Sequence, residues 1–315
     1  MRDLRIVFMG TPDFAVETLK IIVEAGYEVV GVITAPDRPA GRGRKLQESA
    51  VKKYAKEQGL EVLQPTNLKA EDFLQELRAL QANLQVVVAF RMLPEAVWKM
   101  PEFGTFNLHA SLLPQYRGAA PINWAVINGE TQTGVSTFFI DDKIDTGEII
   151  LQEKVDIEPN ENAGSLHDKL MNTGAGLVLE TIRSIEKGDV KRIPQEKTET
   201  LRSAYKLNKE NTRIDWTSNM DDIYNLIRGL SPYPTAWTIL KNGNDDMMMK
   251  IYDAGKEDAQ HELEIGALTF EEKNVKVAIK NGFIILKEIQ LPGKRKMPVK
   301  DLLNGYEFYP NAKVR

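Results

Sequence analysis

The sequence contains no cysteine. Disulfides, thiolate zinc sites, iron–sulfur clusters and a cysteine nucleophile are excluded together. An acyl-type transfer must then use another nucleophile or pass directly from donor to acceptor. The zero count suits a reducing compartment, and a cytoplasmic protein is the expectation. Long apolar runs are missing too. None approaches the roughly 20 residues that span a bilayer, so no membrane partner is expected. Met1 to Gly10 lacks the basic start, long apolar stretch and small-residue cleavage site of a signal peptide, and it reads as a first β-strand. A surplus of positive charge is absent as well, since 45 acidic residues outweigh 41 basic ones and leave a formal net charge of -4. A nucleic acid would have to be held by local basic patches rather than by a global field.

What is present describes an ordinary folded chain. Its 315 residues exceed what one hydrophobic core usually serves, so two domains are expected. Apolar runs at Leu4–Met9, Val29–Thr34, Leu60–Leu63, Leu84–Phe90, Thr105–His109 and Val135–Ile140 read as strands. Helical patterns lie between them at Phe14–Ala25, Ser49–Gln58, Ala70–Leu80 and Pro121–Asn128, and a long one follows at Leu166–Lys187, closed by Gly188. This alternation predicts an α/β fold: a doubly wound, mostly parallel, Rossmann-like sheet that binds ligands beyond its carboxyl strand ends. Residues 1–188 form that first domain, 189–208 a polar linker, and 209–315 a second domain. In the second domain a helix at Met220–Leu230 precedes short strand-like runs separated by turn residues, which suggests a small β-barrel.

Asn107 and His109 stand two apart on a strand and so share one face. An amide can donate to a carbonyl oxygen that gains charge during acyl transfer, and such a donor is worth about 3–4 kcal/mol of barrier. A histidine is the side chain most easily tuned to move a proton near neutral pH, and it needs a carboxylate to orient it. Asp141, Asp142 and Asp145 follow the next strand and are expected at the same sheet edge. Taken alone, an Asn-x-His strand serves structure more often than chemistry, and an aspartate-rich loop is commonly only a turn.

Asn107-Leu108-His109 is followed by Ser111-Leu112-Leu113-Pro114-Gln115-Tyr116-Arg117-Gly118-Ala119-Ala120-Pro121-Ile122, and by Asp145-Thr146-Gly147-Glu148 about thirty residues later. This pattern resembles the 10-formyltetrahydrofolate-dependent formyltransferases. The resemblance implies that Asn107, His109 and Asp145 are catalytic, that Asp145 pairs with His109, and that an amine attacks the formyl carbon directly without a covalent enzyme intermediate. It further implies 10-formyltetrahydrofolate as formyl donor, with no metal. Folate contacts are implied at Ser111, Leu112, Leu113 and Pro114, with the pterin against Arg91, Met92, Leu93 and Asp142. Phe90-Arg91-Met92-Leu93 is spelled as in the purine-pathway branch, whereas many tRNA-specific members have a Tyr-Gly pair and one more residue there.

Three features bear on the acceptor. Gly10-Thr11-Pro12-Asp13-Phe14-Ala15 resembles the methionyl-tRNA and sugar-nucleotide branches of the family. Pro36 to Leu46 is a basic insertion carrying Arg38, Arg42, Arg44 and Lys45, and it is similar to the tRNA-contacting loop of the methionyl-tRNA branch. Beyond residue 205, Ile214-Asp215-Trp216, Arg228 to Trp237 and Pro292 to Met297 resemble that branch's OB-like C-terminal domain, where Lys294, Arg295 and Lys296 offer phosphate contacts. The expected partner is therefore methionyl-initiator tRNA, met by a monomer. Formylation of an amino-sugar nucleotide, a purine-pathway role, formyl-folate hydrolysis and non-catalytic RNA binding are the alternatives.

Overall fold

Ile6, Val7, Phe8 and Met9 are all fully buried, as a strand covered on both faces requires. They belong to β1 (Arg5–Gly10), which lies mid-sheet with β2 (Glu28–Ile33), β3 (Val62–Leu63), β4 (Leu84–Val88), β5 (Thr105–His109), β6 (Gln132–Phe139) and β7 (Ile149–Asp156) in the order β7-β6-β5-β4-β1-β2-β3. The computed structural model describes residues 1–40, 45–196, 200–271 and 273–315. Pairing is parallel from β3 to β5 and antiparallel for β6 and β7. The strand order reverses between β1 and β4, the switch point of a doubly wound sheet. Helices α1 (Asp13–Glu24), α2 (Ala50–Glu57) and α3 (Glu71–Ala79) fall within a residue or so of their sequence periods. Ser49 starts α2 by accepting the Lys52 amide on its hydroxyl (3.0 Å), a side-chain N-cap. A Cβ on Gly174, within α4 (Ala163–Lys187), would sit 2.8 Å from the end of the Leu108 side chain, so the helix lies close against β5 there.

Two points depart from the sequence reading. First, β7 gave no sequence signal, because its centre, Gln152-Glu153-Lys154, is polar and solvent-facing as an edge strand allows. Second, β6 runs against β5, so Phe139 lies beside Phe106 and His109 beside Ser136. The aspartate loop thus leaves the sheet near the start of β5, and it returns to bring Asp145 Oδ2 within 3.8 Å of His109 Nδ1. Periodicity carries no strand direction, which is why the sequence could not show this.

The chain divides into two compact units. The first holds Met1–Pro121, Gln132–Asp156 and His167–Ser203, and the second Ile122–Thr131, Ile157–Leu166 and Ala204–Arg315. The stretch 189–203, expected as linker, thus counts with the first unit. Residues 122–131 and 157–166, expected in the first domain, are tied into the second: Ile157 donates its amide to Thr131, Asn123 its side-chain amide to Gly229, and Arg228 its guanidinium to Glu161.

In the second unit, β8 (Ala236–Asn242), β9 (Asp245–Asp258), β10 (Leu268–Glu271), β11 (Asn274–Ile279), β12 (Gly282–Gln290) and β13 (Lys313–Val314) form an antiparallel sheet in the order β10-β11-β12-β9-β8-β13. It curls until its ends meet, with Val314 donating to Gly266 (2.8 Å) and Leu268 to Ala312 (3.1 Å). Curling hides the edges and gives the OB-like form. Helix α5 (Met220–Gly229), capped by Asn219, buries Ile223 and Ile227 into a core with Met249, Ile251, Val277, Ile284 and Leu286.

Candidate active site

Register sets the floor of the site. Val87 pairs with Asn107 and Asn107 with Phe138, so these three side chains stand side by side across β4, β5 and β6. They line a cleft of about 500 Å³, whose walls are Phe90–Leu93, Glu95 and Trp98 on one side and Ile140–Asp145 with Gly118 and Ala119 on the other. An apolar floor with a few convergent polar groups is what a flat heterocyclic ligand needs. Asn107 belongs to this lining, and among the described residues its amide has no hydrogen-bond partner.

His109, two residues on, is 6% exposed. Its Nε2 donates to the Tyr116 carbonyl (2.8 Å), and its Nδ1 lies 3.8 Å from Asp145 Oδ2. A carbonyl only accepts, so Nε2 carries the proton in the neutral ring and Nδ1 presents its lone pair toward Asp145. A proton arriving at Nδ1 would make an imidazolium beside a carboxylate. The expected pairing of Asp145 with His109 is thus present as proximity, longer than a direct hydrogen bond.

The residues after β5 build the frame around these groups. Ser111 is fully buried, its hydroxyl donating to the Gln115 carbonyl (2.6 Å) and its carbonyl accepting from Ser136 (2.6 Å). Leu113 is also buried, with its amide on the Ser136 hydroxyl (3.1 Å) and its carbonyl accepting from Gln152 (3.0 Å). Tyr116 adopts φ +58°, which turns its carbonyl back toward His109. Gly118 donates its amide to Asp145 Oδ2 (2.9 Å). Asp145 itself sits at φ +55°, a left-handed conformation that a non-glycine residue holds only when its surroundings enforce it. Gly147 cannot be replaced, because a Cβ there would lie 1.7 Å from the Phe139 carbonyl oxygen.

Of the residues singled out from the sequence, Asn107, Arg91, Met92, Leu93, Asp142 and Asp145 line the cleft, while His109, Ser111, Leu112, Leu113 and Pro114 stand outside its lining. Arg91 donates to the carbonyls of Pro65 and of Thr66 (2.9 Å), and burial, then the like charge of Arg38, holds its guanidinium below the ordinary range. Arg38 opens a short hairpin, Arg38–Ala40 against Lys45–Gln47. Arg42 and Arg44 lie outside the described residues, and for Lys45 only the backbone is described. The stem is anchored by Asp37, which accepts from Lys52 (2.6 Å) and Gln64 (2.9 Å). In the second unit Lys294, Arg295 and Lys296 are exposed, but Lys296 is paired with Glu288 (2.8 Å). Sequence reasoning missed Gln195, which binds the carbonyls of Asp145 (3.0 Å) and Gly147 (2.8 Å). Among the described residues no group of His, Asp or Glu is arranged to hold a metal ion, and no helix is long and apolar enough to cross a membrane.

Comparison with known proteins places this geometry. The family described as Formyl transferase matches residues 4–182, and its C-terminal domain, Formyl transferase, C-terminal domain, matches residues 206–307. The methionyl-tRNA formyltransferase of Flavobacterium johnsoniae is 61% identical over the full length of both chains, and that of Bacteroides fragilis is 53% identical over 99% of this chain and 98% of its own. Among solved structures, the sugar 3N-formyl transferase WlaRD, determined with dTDP and 5-N-formyl-THF, superposes with a TM-score of 0.65 over 94% of this chain and all of its own at 20% identity. HypX from Aquifex aeolicus with tetrahydrofolic acid gives 0.64 over 96% of this chain and 47% of its own at 17% identity, and both likenesses speak for the fold alone. Full-length identity above half, together with both family domains, shows that the chain belongs to the formyl transferase family and groups there with the methionyl-tRNA formyltransferases.

Proposed function

We propose that the protein transfers the formyl group of 10-formyltetrahydrofolate to the α-amino group of methionyl-initiator tRNA, as a cytoplasmic monomer serving translation initiation. The observation that carries this reading is that Asn107 and Asp145 line one cleft while the buried His109 sets its Nδ1 3.8 Å from the Asp145 carboxylate.

The fit of the cleft to a folate rests on its chemistry. Val87, Leu93, Trp98, Phe138 and Ile140 offer apolar walls for a flat ring, and Asp141 and Asp142 offer acceptors for ring N–H groups. The folate supplies an activated one-carbon acyl group on nitrogen. Asn107 donates to the formyl oxygen as it gains charge. His109 takes a proton at Nδ1 from the attacking amine while its Nε2–H stays on Tyr116. Asp145 stabilises the charged ring. In the balance, the amine nitrogen gains the formyl carbon and loses one proton, and the folate nitrogen loses the carbon and gains one. Ser111, Leu112, Leu113 and Pro114 act as the turn that holds this wall. Arg38, Arg42, Arg44 and Lys45 grip the acceptor end, and Lys294, Arg295 and Lys296 meet phosphates farther along the tRNA.

The test is transfer of labelled formyl to charged initiator tRNA, free methionine, an amino-sugar nucleotide and water, side by side. Labelled N-formylmethionyl-tRNA as the dominant product is expected. Label only in the other three would overturn the tRNA assignment.

A further inference from the structure

Residues 183–205 fall between the two matched family domains, and 189–208 read from sequence as polar linker. The described residues 192–195 are built into the first unit. Ile193 exchanges both backbone hydrogen bonds with Ile149 (2.8 and 2.9 Å), which lays this stretch along the start of β7. Arg192 stacks on the Phe139 ring at 4.2 Å and faces Glu148 at 3.8 Å. Three residues after Arg192 the Gln195 amide nitrogen reaches into the catalytic loop. It donates to the Asp145 carbonyl (3.0 Å) and to the Gly147 carbonyl (2.8 Å). The Gln195 oxygen in turn accepts two hydrogen bonds from the Arg117 guanidinium (2.6 and 3.1 Å).

We infer that Gln195, oriented by Arg117, is a positioning residue that fixes the Asp145–Gly147 turn and so sets the carboxylate against His109. The inference rests on the proposed role of Asp145. Three features make the turn dependent on such a clamp. Asp145 is in a left-handed conformation, uncommon for any residue but glycine. Its carboxylate is 3.8 Å from His109, so no direct hydrogen bond between them holds the separation. Its two carbonyl anchors point away from the sheet ladder and have Gln195 as their donor. Arg117 and Gly118 are adjacent, and they grip the same turn twice: Gly118 through the Asp145 carboxylate, and Arg117 through Gln195. This explains why an arginine follows Tyr116 in a stretch where it touches no cleft wall. An amide is the chemistry required, because one side chain must donate to two carbonyls and accept from a guanidinium at once.

The experiment measures kcat and KM for formyl transfer by the full-length protein carrying Gln195→Leu, Gln195→Glu or Asp145→Asn, with 5-formyltetrahydrofolate binding and the thermal midpoint followed in parallel. Gln195→Glu keeps the acceptor for Arg117 and loses the donor to the turn. Both Gln195 variants are expected to lose kcat roughly 10- to 100-fold, the cost of a small misplacement of a catalytic group, while each KM stays within about threefold. Folate binding and the thermal midpoint should hold. A Gln195→Leu protein within about twofold of the parent kcat, or a Gln195→Glu protein at parent kcat, would overturn the inference. So would a loss that runs in step with folate binding and the thermal midpoint, which marks general unfolding. Asp145→Asn at the parent rate would instead remove Asp145 from the reaction, a failure of the underlying reading that the Gln195 variants cannot imitate.

Discussion

At the scale of single residues, His109 and Asn107 do different work and should fail differently. His109→Ala removes the proton acceptor, and the expected loss is about 10²- to 10⁴-fold in kcat. It also removes the hydrogen bond to the Tyr116 carbonyl, a cost of about 1 kcal/mol that a denaturant titration would read separately. Asn107 faces the cleft without a partner among the described residues, so Asn107→Ala should leave stability nearly unchanged. It should lower kcat by about 10²- to 10³-fold with little change in KM, as expected for a donor used in the transition state. A raised KM at constant kcat would recast Asn107 as a binding group. These two residues were legible in the sequence because their spacing alone puts them on one strand face. Gln195 was not. It acts 50 residues away from Asp145, out of a polar segment without period, and no local signal marks a side chain that bonds distant main-chain carbonyls. Ser111 to Pro114 were singled out by the resemblance as folate contacts, but which of their groups face inward depends on Ser136 and Gln152 from other strands.

At the scale of elements, the turn after β6 and the basic hairpin carry the testable load. Gly147→Ala would drive a methyl into the Phe139 carbonyl. The turn must then open, and a stability loss above about 2 kcal/mol is expected in a denaturant titration, together with lost activity. A fully active Gly147→Ala protein would show that the turn tolerates rearrangement. In the hairpin stem, hydrogen bonds from Gln64 and then Lys52 hold the Asp37 carboxyl below the usual carboxylate range. The sign follows from that lowering. The Asp37 contribution is whole above the ordinary carboxylate value and is lost as acid carries the pH down through the lowered one, so the stem stays anchored across neutral pH. Arg42→Ala should raise the KM for tRNA without weakening 5-formyltetrahydrofolate binding, and should lower the salt slope of tRNA binding by about one. Equal loss of folate binding would argue against a loop dedicated to RNA. Helix positions were legible from apolar spacing and caps such as Ser49, whereas β7 and the direction of β6 were not, since an edge strand with Gln152-Glu153-Lys154 outward shows no alternation.

At the scale of the whole molecule, a net charge of -4 leaves RNA affinity to local groups. Lys294, Arg295 and Lys296 of the second unit are not equivalent. Lys296 is already paired with Glu288, while Arg295 has no ion-pair partner among the described residues. Arg295→Ala should therefore weaken tRNA binding more than Lys296→Ala, and a filter-binding comparison at fixed salt would show it; the reverse order would move the phosphate track elsewhere. The central claim, that Asn107 in the cleft and His109 beside Asp145 serve a folate-borne formyl group as oxyanion donor and proton acceptor, meets its most direct test in a single turnover. Protein saturated with labelled 10-formyltetrahydrofolate would be mixed with methionyl-initiator tRNA, for the parent and for His109→Ala. The account predicts rapid appearance of label on the methionine nitrogen in the parent, and a loss of at least about 10²-fold in the variant while bound folate is unchanged. Transfer by His109→Ala at the parent rate would contradict it.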